Sequence, residues 1–303
     1  MANTLTTISQ SMLQDEVLSA LQLGLNPLKA FSFAPQEKPL SVGDSCIVPV
    51  ISSMTAGSYS TTFESGDSTI TGTSVTIAAP VFRSWHVNPH TEGIPTAERF
   101  LASGREAAYA VAKKVVQNVL DNFVAANIGD VADTDKKVIT AANYDVDDQA
   151  DMLELLAGKG VDGGVSAIHN IAYATALRKD SGLQDASAYG SDQLIRTGEL
   201  PPIFGVGQYY TDAFSSTLTG ENTTVIFTGK STAAIAVGAY NNLDEGMESA
   251  AGVRNEVITD PDTGLSLTWR TWVNTADGVY WGSVYVASGD AFIQDAAVRV
   301  VSA

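Results

Sequence analysis

The sequence of 303 residues is short of cysteine, histidine and positive charge, and each scarcity excludes something. Its single cysteine, Cys46, cannot close a disulfide within the chain. That speaks against a disulfide-stapled secreted fold and for a reducing compartment. Lys and Arg number 17 against 34 Asp and Glu, so the net charge is −17, although only 17% of residues are charged; a share of about 25% is usual. Holding nucleic acid by its phosphates needs clustered cations. Here the only adjacent basic pairs are Lys113-Lys114, Lys136-Lys137 and Arg178-Lys179. Direct duplex binding and a polybasic membrane patch are both unexpected. No apolar run approaches the ~18 residues of a membrane-spanning helix. The start, MANTLTTISQSMLQDEVLSA, lacks the basic and apolar regions of a signal peptide. A soluble protein folded in the cytoplasm is expected.

Recognisable chemistry is also lacking. His86, His90 and Glu92 lie close in sequence, but Pro89 falls between the histidines and breaks the helix that would align them. They read as loop residues rather than a zinc site. His169 follows a strand and is expected to satisfy a backbone group or cap a helix. Cys46, in CIVPV, reads as a buried and inert strand residue. Gly229-Lys230-Ser231 has the end of a phosphate-loop motif without its first glycine, since Thr224 stands there; a turn between strands is expected. The stretch DVDDQAD (145–151) lacks the glycine and glutamate of a calcium loop and reads as an acidic helix start. No catalytic, cofactor-binding or metal-binding residue is assigned, and no cofactor is expected.

What is present is an architecture. Residues to about Ala30 carry weak helical periodicity (Leu13, Val17, Leu18, Leu21, Leu25), then Pro27, Pro35 and Pro39 interrupt an irregular arm. Strands are expected at 46–54 and 69–83. They flank a Ser/Thr/Gly-rich segment in which Tyr59, Thr61 and Phe63 share one face. This long hairpin has too few large apolar residues for a core of its own. Residues 95–127 hold the strongest helix signal: Ala108, Val111, Ala112, Val115, Val116, Val119, Leu120, Phe123 and Val124 form one stripe, with Thr96 as N-cap and Gly129 as terminator. Such a helix would be about 45–50 Å long. Beyond it come a helix at 147–157, a strand at 164–168, a helix at 170–179, and strands at 202–211, 224–228 and 233–238. Residues 246–303 are β-rich, with Pro261-Asp262-Thr263-Gly264 as a turn. The arm, the hairpin and the long helix each lack a partner within their own segment. Ser and Thr together outnumber the charged residues. Interface cores are depleted in Lys, Glu and Asp, so a large self-assembly surface fits this composition.

In order and spacing, the chain resembles the major capsid proteins of tailed double-stranded DNA phages, the Hong Kong 97 type. PTAERFLASGREAAYAVAKKVVQNVLDNF resembles the spine helix. In NIAYATALRKDSGLQDASAYGSDQLIRTGELPPIFGVGQYYTDAF the landmarks are Lys179, Asp180, Gly198, Gly205 and Tyr209. In GVRNEVITDPDTGLSLTWRTW they are Arg254, Glu256, Asp260, Thr263, Gly264 and Leu265. The resemblance implies an α+β capsid fold. It divides the chain into an N-terminal arm (1–44), an extended loop (45–85), a peripheral domain with the spine helix (86–145), an axial domain (146–245) and returning peripheral strands (246–303).

It also implies a structural protein, not an enzyme, that assembles into pentamers and hexamers of an icosahedral shell. That shell would enclose DNA without specific binding, form in the host cytoplasm and reside in the virion. Portal, scaffolding and decoration proteins are the implied partners. Tyr59, Phe63, Glu64, Arg99, Arg105, Arg254 and Glu256 are the expected inter-subunit contacts, with Arg99 and Arg105 paired to Glu64 of a neighbour. The type member welds its subunits through a lysine on the extended loop; residues 55–75 contain no lysine, so no covalent cross-linking is predicted. An encapsulin-like compartment would share the fold around a cargo protein. A soluble α/β enzyme without a recognisable motif is the alternative of another class.

Overall fold

The computed structural model describes residues 8–34, 40–51, 70–88, 97–128, 135–161, 163–184, 199–214, 222–238, 253–276 and 278–302. The arm begins with helix α1 (Ile8–Leu25) and a 3-10 turn at Asn26–Ala30. Pro27 fits the first turn because it has no N–H to lose there. Strand β1 (Ser32–Phe33) follows. Strands β2 (Ser45–Ile51) and β3 (Ile70–Thr76) pair antiparallel, from Ser45 opposite Thr76 to Ile51 opposite Ile70. Strand β4 (Val81–Val87) precedes helix α2 (Ala97–Leu120).

Helix α2 buries Ala108, Val111, Ala112, Val115, Val116, Val119 and Leu120, the stripe read from the sequence. Its 24 residues span about 36 Å, less than expected. The shortening has a local cause. The Asn122 side-chain amide turns back onto the carbonyls of Asn118 and Val119, at 3.4 and 3.3 Å, and the N–H groups of Asn122 and Phe123 close three-residue turns. A separate short helix, α3 (Ala125–Ile128), takes the remainder.

Strand β5 (Lys136–Val138) leads to α4 (Val146–Gly158). The acidic run does start this helix: the Asp145 carboxylate accepts the Asp148 N–H and the Asp148 carboxylate accepts the Asp145 N–H, both at 3.1 Å. Strand β6 (Val165–Asn170) passes directly into α5 (Ile171–Lys179), capped by the Asn170 side chain on the Ala172 N–H at 3.1 Å. Then come α6 (Ser181–Gln184), β7 (Gly207–Thr211), β8 (Thr223–Gly229) and β9 (Ala233–Gly238), with Gly229-Lys230-Ser231 in the turn between the last two. The strand expected from 202 starts only at Gly207, because Ile203–Val206 close a tight turn first. The chain ends with β10 (Arg254–Thr259), β11 (Ser266–Asn274), β12 (Val279–Phe292) and β13 (Ala297–Val301).

Besides the two-stranded β2/β3 sheet, two larger sheets organise these strands. The first has the order β1-β9-β12-β11-β10, and β4 pairs with the first half of β12. The second has the order β5-β13-β8-β6-β7. The pairings cross the chain order: β9 joins the long strand β12, while the C-terminal β13 lies between β5 and β8. The larger core lies between the first sheet and the helix pair α1/α2, and its members include Leu21, Leu25, Val111, Val115, Trp269 and Val284. Gly24 meets Ala112 where the helices cross, so close that a Cβ at Gly24 would lie 2.5 Å from the alanine methyl. The smaller core sits under α4 and α5, with Met152, Leu156, Tyr173, Leu177 and Phe227.

The turn expected at Pro261–Gly264 is built around Asp260, which is 1% exposed. Its carboxylate accepts the N–H of Asp262 and of Thr263 (3.3 and 3.1 Å), the Thr263 hydroxyl, and the Gln22 amide of α1 at 3.3 Å. Gly264 supplies the positive φ of 71° that closes it. Asp260→Ala is expected to cost about 2 kcal/mol by orphaning these donors, read as a lower urea midpoint; an unchanged midpoint would show that the turn is held by Gly264 alone.

Candidate assembly surfaces

The base of the β2/β3 hairpin is fastened to the body. Ile77 N–H donates to the Asp44 carbonyl at 2.9 Å and Ala78 N–H to the Ser288 carbonyl at 3.1 Å. Val75 and Ile77 are buried among Ala234, Ala236 and Ala287. Gly289 makes this crossing possible, since a Cβ there would stand 2.4 Å from the Thr76 carbonyl oxygen. Further out the hairpin changes character. Ile47, opposite Ser74, is 69% exposed and Ile70, opposite Ile51, is 64% exposed, so the hairpin carries apolar side chains on its surface. Cys46, opposite Val75 at the base and packed on the same small core, is half-buried, less enclosed than the sequence implied. Tyr59, Phe63 and Glu64 lie outside the described residues.

Arg99 and Arg105 both lie exposed on the first half of α2. Arg105 lines a cleft of about 520 Å³ with Asp15, Glu16 and Leu23 of α1, and with Glu106 and Tyr109 of its own helix. Acidic groups of the same chain thus stand across the cleft from it. Arg254 and Glu256 lie on β10, opposite Thr271 and Trp269 of β11.

The second sheet carries two features that sequence reasoning missed. One is Phe204, 60% exposed at φ 51° beside Gly205 at φ 78°. A left-handed, exposed phenylalanine costs about 1 kcal/mol and buries little within its own chain. The other is His169, fully buried, where the sequence reading expected a cap or a backbone contact. Asn170 does the capping; the His169 Nε2 instead meets the Gln208 side-chain oxygen at 2.7 Å, and Gln208 continues to Gln149 at 3.2 Å. Burial drives the His169 pKa down to about 4, and the bond to Gln208 opposes this only in part. Nearby, Arg178 lies 4.6 Å above the half-exposed ring of Tyr210.

His86 is exposed on β4 and stacks at 4.7 Å on Trp281, which in turn stacks on Trp272. His90 and Glu92 lie outside the described residues. Among the described residues no cluster of His, Cys, Asp and Glu could hold a metal ion, and no helix is long and apolar enough to cross a membrane. Among the described residues the geometry offers a hairpin with exposed isoleucines, charged helix positions, exposed sheet edges and an aromatic turn tip.

No family model and no curated protein matches the sequence. Solved structures do match. The structure from Gordonia phage Cozz is 14% identical and superposes at a TM-score of 0.57, covering 92% of this chain and 86% of the other. The capsid of Ralstonia phage GP4 is 11% identical at 0.55, covering 90% and 86%. The mature capsid of bacteriophage PhiM1 is 10% identical at 0.54, covering 88% and 85%. The chain has the phage capsid fold. At these identities side chains are not shared, so the capsid fold rests on topology and near-complete mutual coverage. The two larger sheets, the long helix and the hairpin described above are the α+β architecture that the sequence resemblance implied.

Proposed function

We propose that this chain is a major capsid protein, a structural rather than catalytic component of a phage virion. Copies of it assemble into pentamers and hexamers of an icosahedral shell in the host cytoplasm, and the shell encloses double-stranded DNA. The observation that carries this reading is the match to phage capsid structures over about nine-tenths of the chain, 92% in the Gordonia phage Cozz comparison. The exposed Ile47 and Ile70 of the hairpin and the exposed Phe204 support it, because such apolar side chains suit subunit contacts.

In this reading residues 1–44 are the arm, 45–85 the extended loop, 86–145 and 246–303 peripheral, and 146–245 axial. The pairings of β9 and β13 stitch the peripheral and axial parts together. Tyr59, Phe63, Glu64, Arg99, Arg105, Arg254 and Glu256 are proposed subunit contacts. Portal, scaffolding and decoration proteins are the proposed further partners. With a net charge of −17, the wall repels the genome over a Debye length and holds it by enclosure.

Negative-stain microscopy of the purified protein should show closed particles tens of nanometres across that contain DNA. A 31.8 kDa monomer would sink the proposal, and particles filled with a cargo protein would point to a nanocompartment instead. Because residues 55–75 hold no lysine, denaturing electrophoresis of those particles should give one monomer-sized band. A ladder that survives reducing agent would refute the absence of covalent cross-links.

A further inference from the structure

Strands β4, β12, β11 and β10 alternate in direction across the first sheet. No described strand pairs with the second side of β4 or of β10. The rows of side chains running across these strands end in contrasting ways. Phe82, Tyr285, Thr268 and Val257 are successive cross-strand partners. The two inner members are 7% and 6% exposed, while Phe82 and Val257 at the edges are 70% and 60% exposed. The next row, on the opposite face, runs Arg83, Val284, Trp269, Glu256: a cation at one edge and an anion at the other. The row after that runs from Ser84 to Asn255, and the following one from Trp85 to Arg254.

We propose that the β4 edge of one copy adds to the β10 edge of a second copy, extending the sheet head to tail between subunits. This rests on the shell reading above. Four alternating strands place β10 antiparallel to the β4 of a neighbour stacked in the same orientation, so the ladder continues without a break in pattern. In that register Phe82 meets Val257, Arg83 meets Glu256, Ser84 meets Asn255, and Trp85 meets Arg254. The first three are an apolar pair, an ion pair and a polar pair, kinds of contact that stabilise neighbouring strands; the Trp85 ring itself lies inward over Gly282. Neither edge carries the proline or lysine that guards edge strands against pairing. The contact is heterologous, and it closes into a ring when the rotation from copy to copy divides a full turn.

The test is a cysteine pair, Phe82→Cys with Val257→Cys, in a chain carrying Cys46→Ser. After mild oxidation, non-reducing denaturing electrophoresis should show dimers and higher rungs that reductant collapses. Either cysteine alone should stay monomeric, and a mixture of the two single variants should stop at dimers. Particles without the ladder would overturn this inference and leave the shell reading standing. A ladder without closed particles would support the contact and overturn the shell. Neither ladder nor particles would overturn both, and dimers of Phe82→Cys alone would mean that like edges pair. If the cysteine variants fail to fold, charge reversal gives a second readout. Arg83→Glu should lower particle yield at least tenfold, and adding Glu256→Arg should restore it; a folded double variant without recovery would overturn the pairing.

Discussion

Replacing Lys159 by methionine is expected to destabilise the protein by about 3 kcal/mol, because one buried ammonium serves four acceptors at once. Its Nζ donates to the carbonyls of Ile128 and Ala297, each at 3.0 Å, and to Asp295 at 2.6 Å, with Asp135 at 3.3 Å. The side chain is only 12% exposed, whereas Asp295 is 44% exposed and can be rehydrated. The cost therefore comes mainly from the two carbonyls and Asp135, left facing a thioether that cannot donate. These acceptors belong to the end of α3, the segment before β5 and the start of β13, so the lysine at the end of α4 ties the spine-helix region to the second sheet. Urea unfolding monitored by circular dichroism measures the loss. A change below about 1 kcal/mol would place Lys159 among ordinary surface ion pairs.

Acidification is expected to weaken the second sheet through His169. Its folded pKa lies near 4, below the ordinary 6.5, because burial disfavours the imidazolium. Above about pH 6.5 the residue is neutral folded and unfolded, and its contribution is complete. As the pH falls from there toward 4, the unfolded chain takes up a proton that the folded chain refuses. Stability drops over that window by about 3 kcal/mol and levels off below it. The buried Nδ1 has no hydrogen-bond partner among the described residues, so a proton placed there finds no acceptor. Asp121 and Asp290 act in the opposite sense. Burial pushes both carboxyls up, so each gains stability as the pH falls through its folded pKa. His169→Met separates the effects: protection factors of the β6 and β8 amides, corrected for intrinsic exchange, should no longer fall between about pH 6.5 and 4, leaving only the opposite trend from the buried carboxyls. Equal slopes in the two proteins would remove His169 as the cause.

Much of the fold was legible because its signals are local. The stripe of α2 as far as Leu120, the acidic start of α4 and the turn at Pro261–Gly264 depend on residues a few positions apart, and they form where the spacing pointed. The surface candidates were legible only as types. Exposed arginines on a long helix could be named, but the acidic cleft facing Arg105 is made by α1, which lies far back in the chain. Lys159 and Phe204 carried no sequence signal, and His169 was read as a cap or backbone contact instead of a buried partner of Gln208. A lysine in a glycine-rich loop, a histidine after a strand and a phenylalanine before Gly-Val-Gly are each unremarkable until tertiary contacts surround or expose them.

By itself the sequence determined most element types and the strong acidic imbalance, since composition and short-range periodicity report these directly. Only the tertiary structure decided which strands became neighbours. β9 crosses to β12, the C-terminal β13 enters the other sheet, and among the described strands β4 and β10 stand at the edges. Pairing partners tens of residues apart are chosen by which arrangement buries both helix stripes at once. That is a property of the whole packed chain, and no single segment records it.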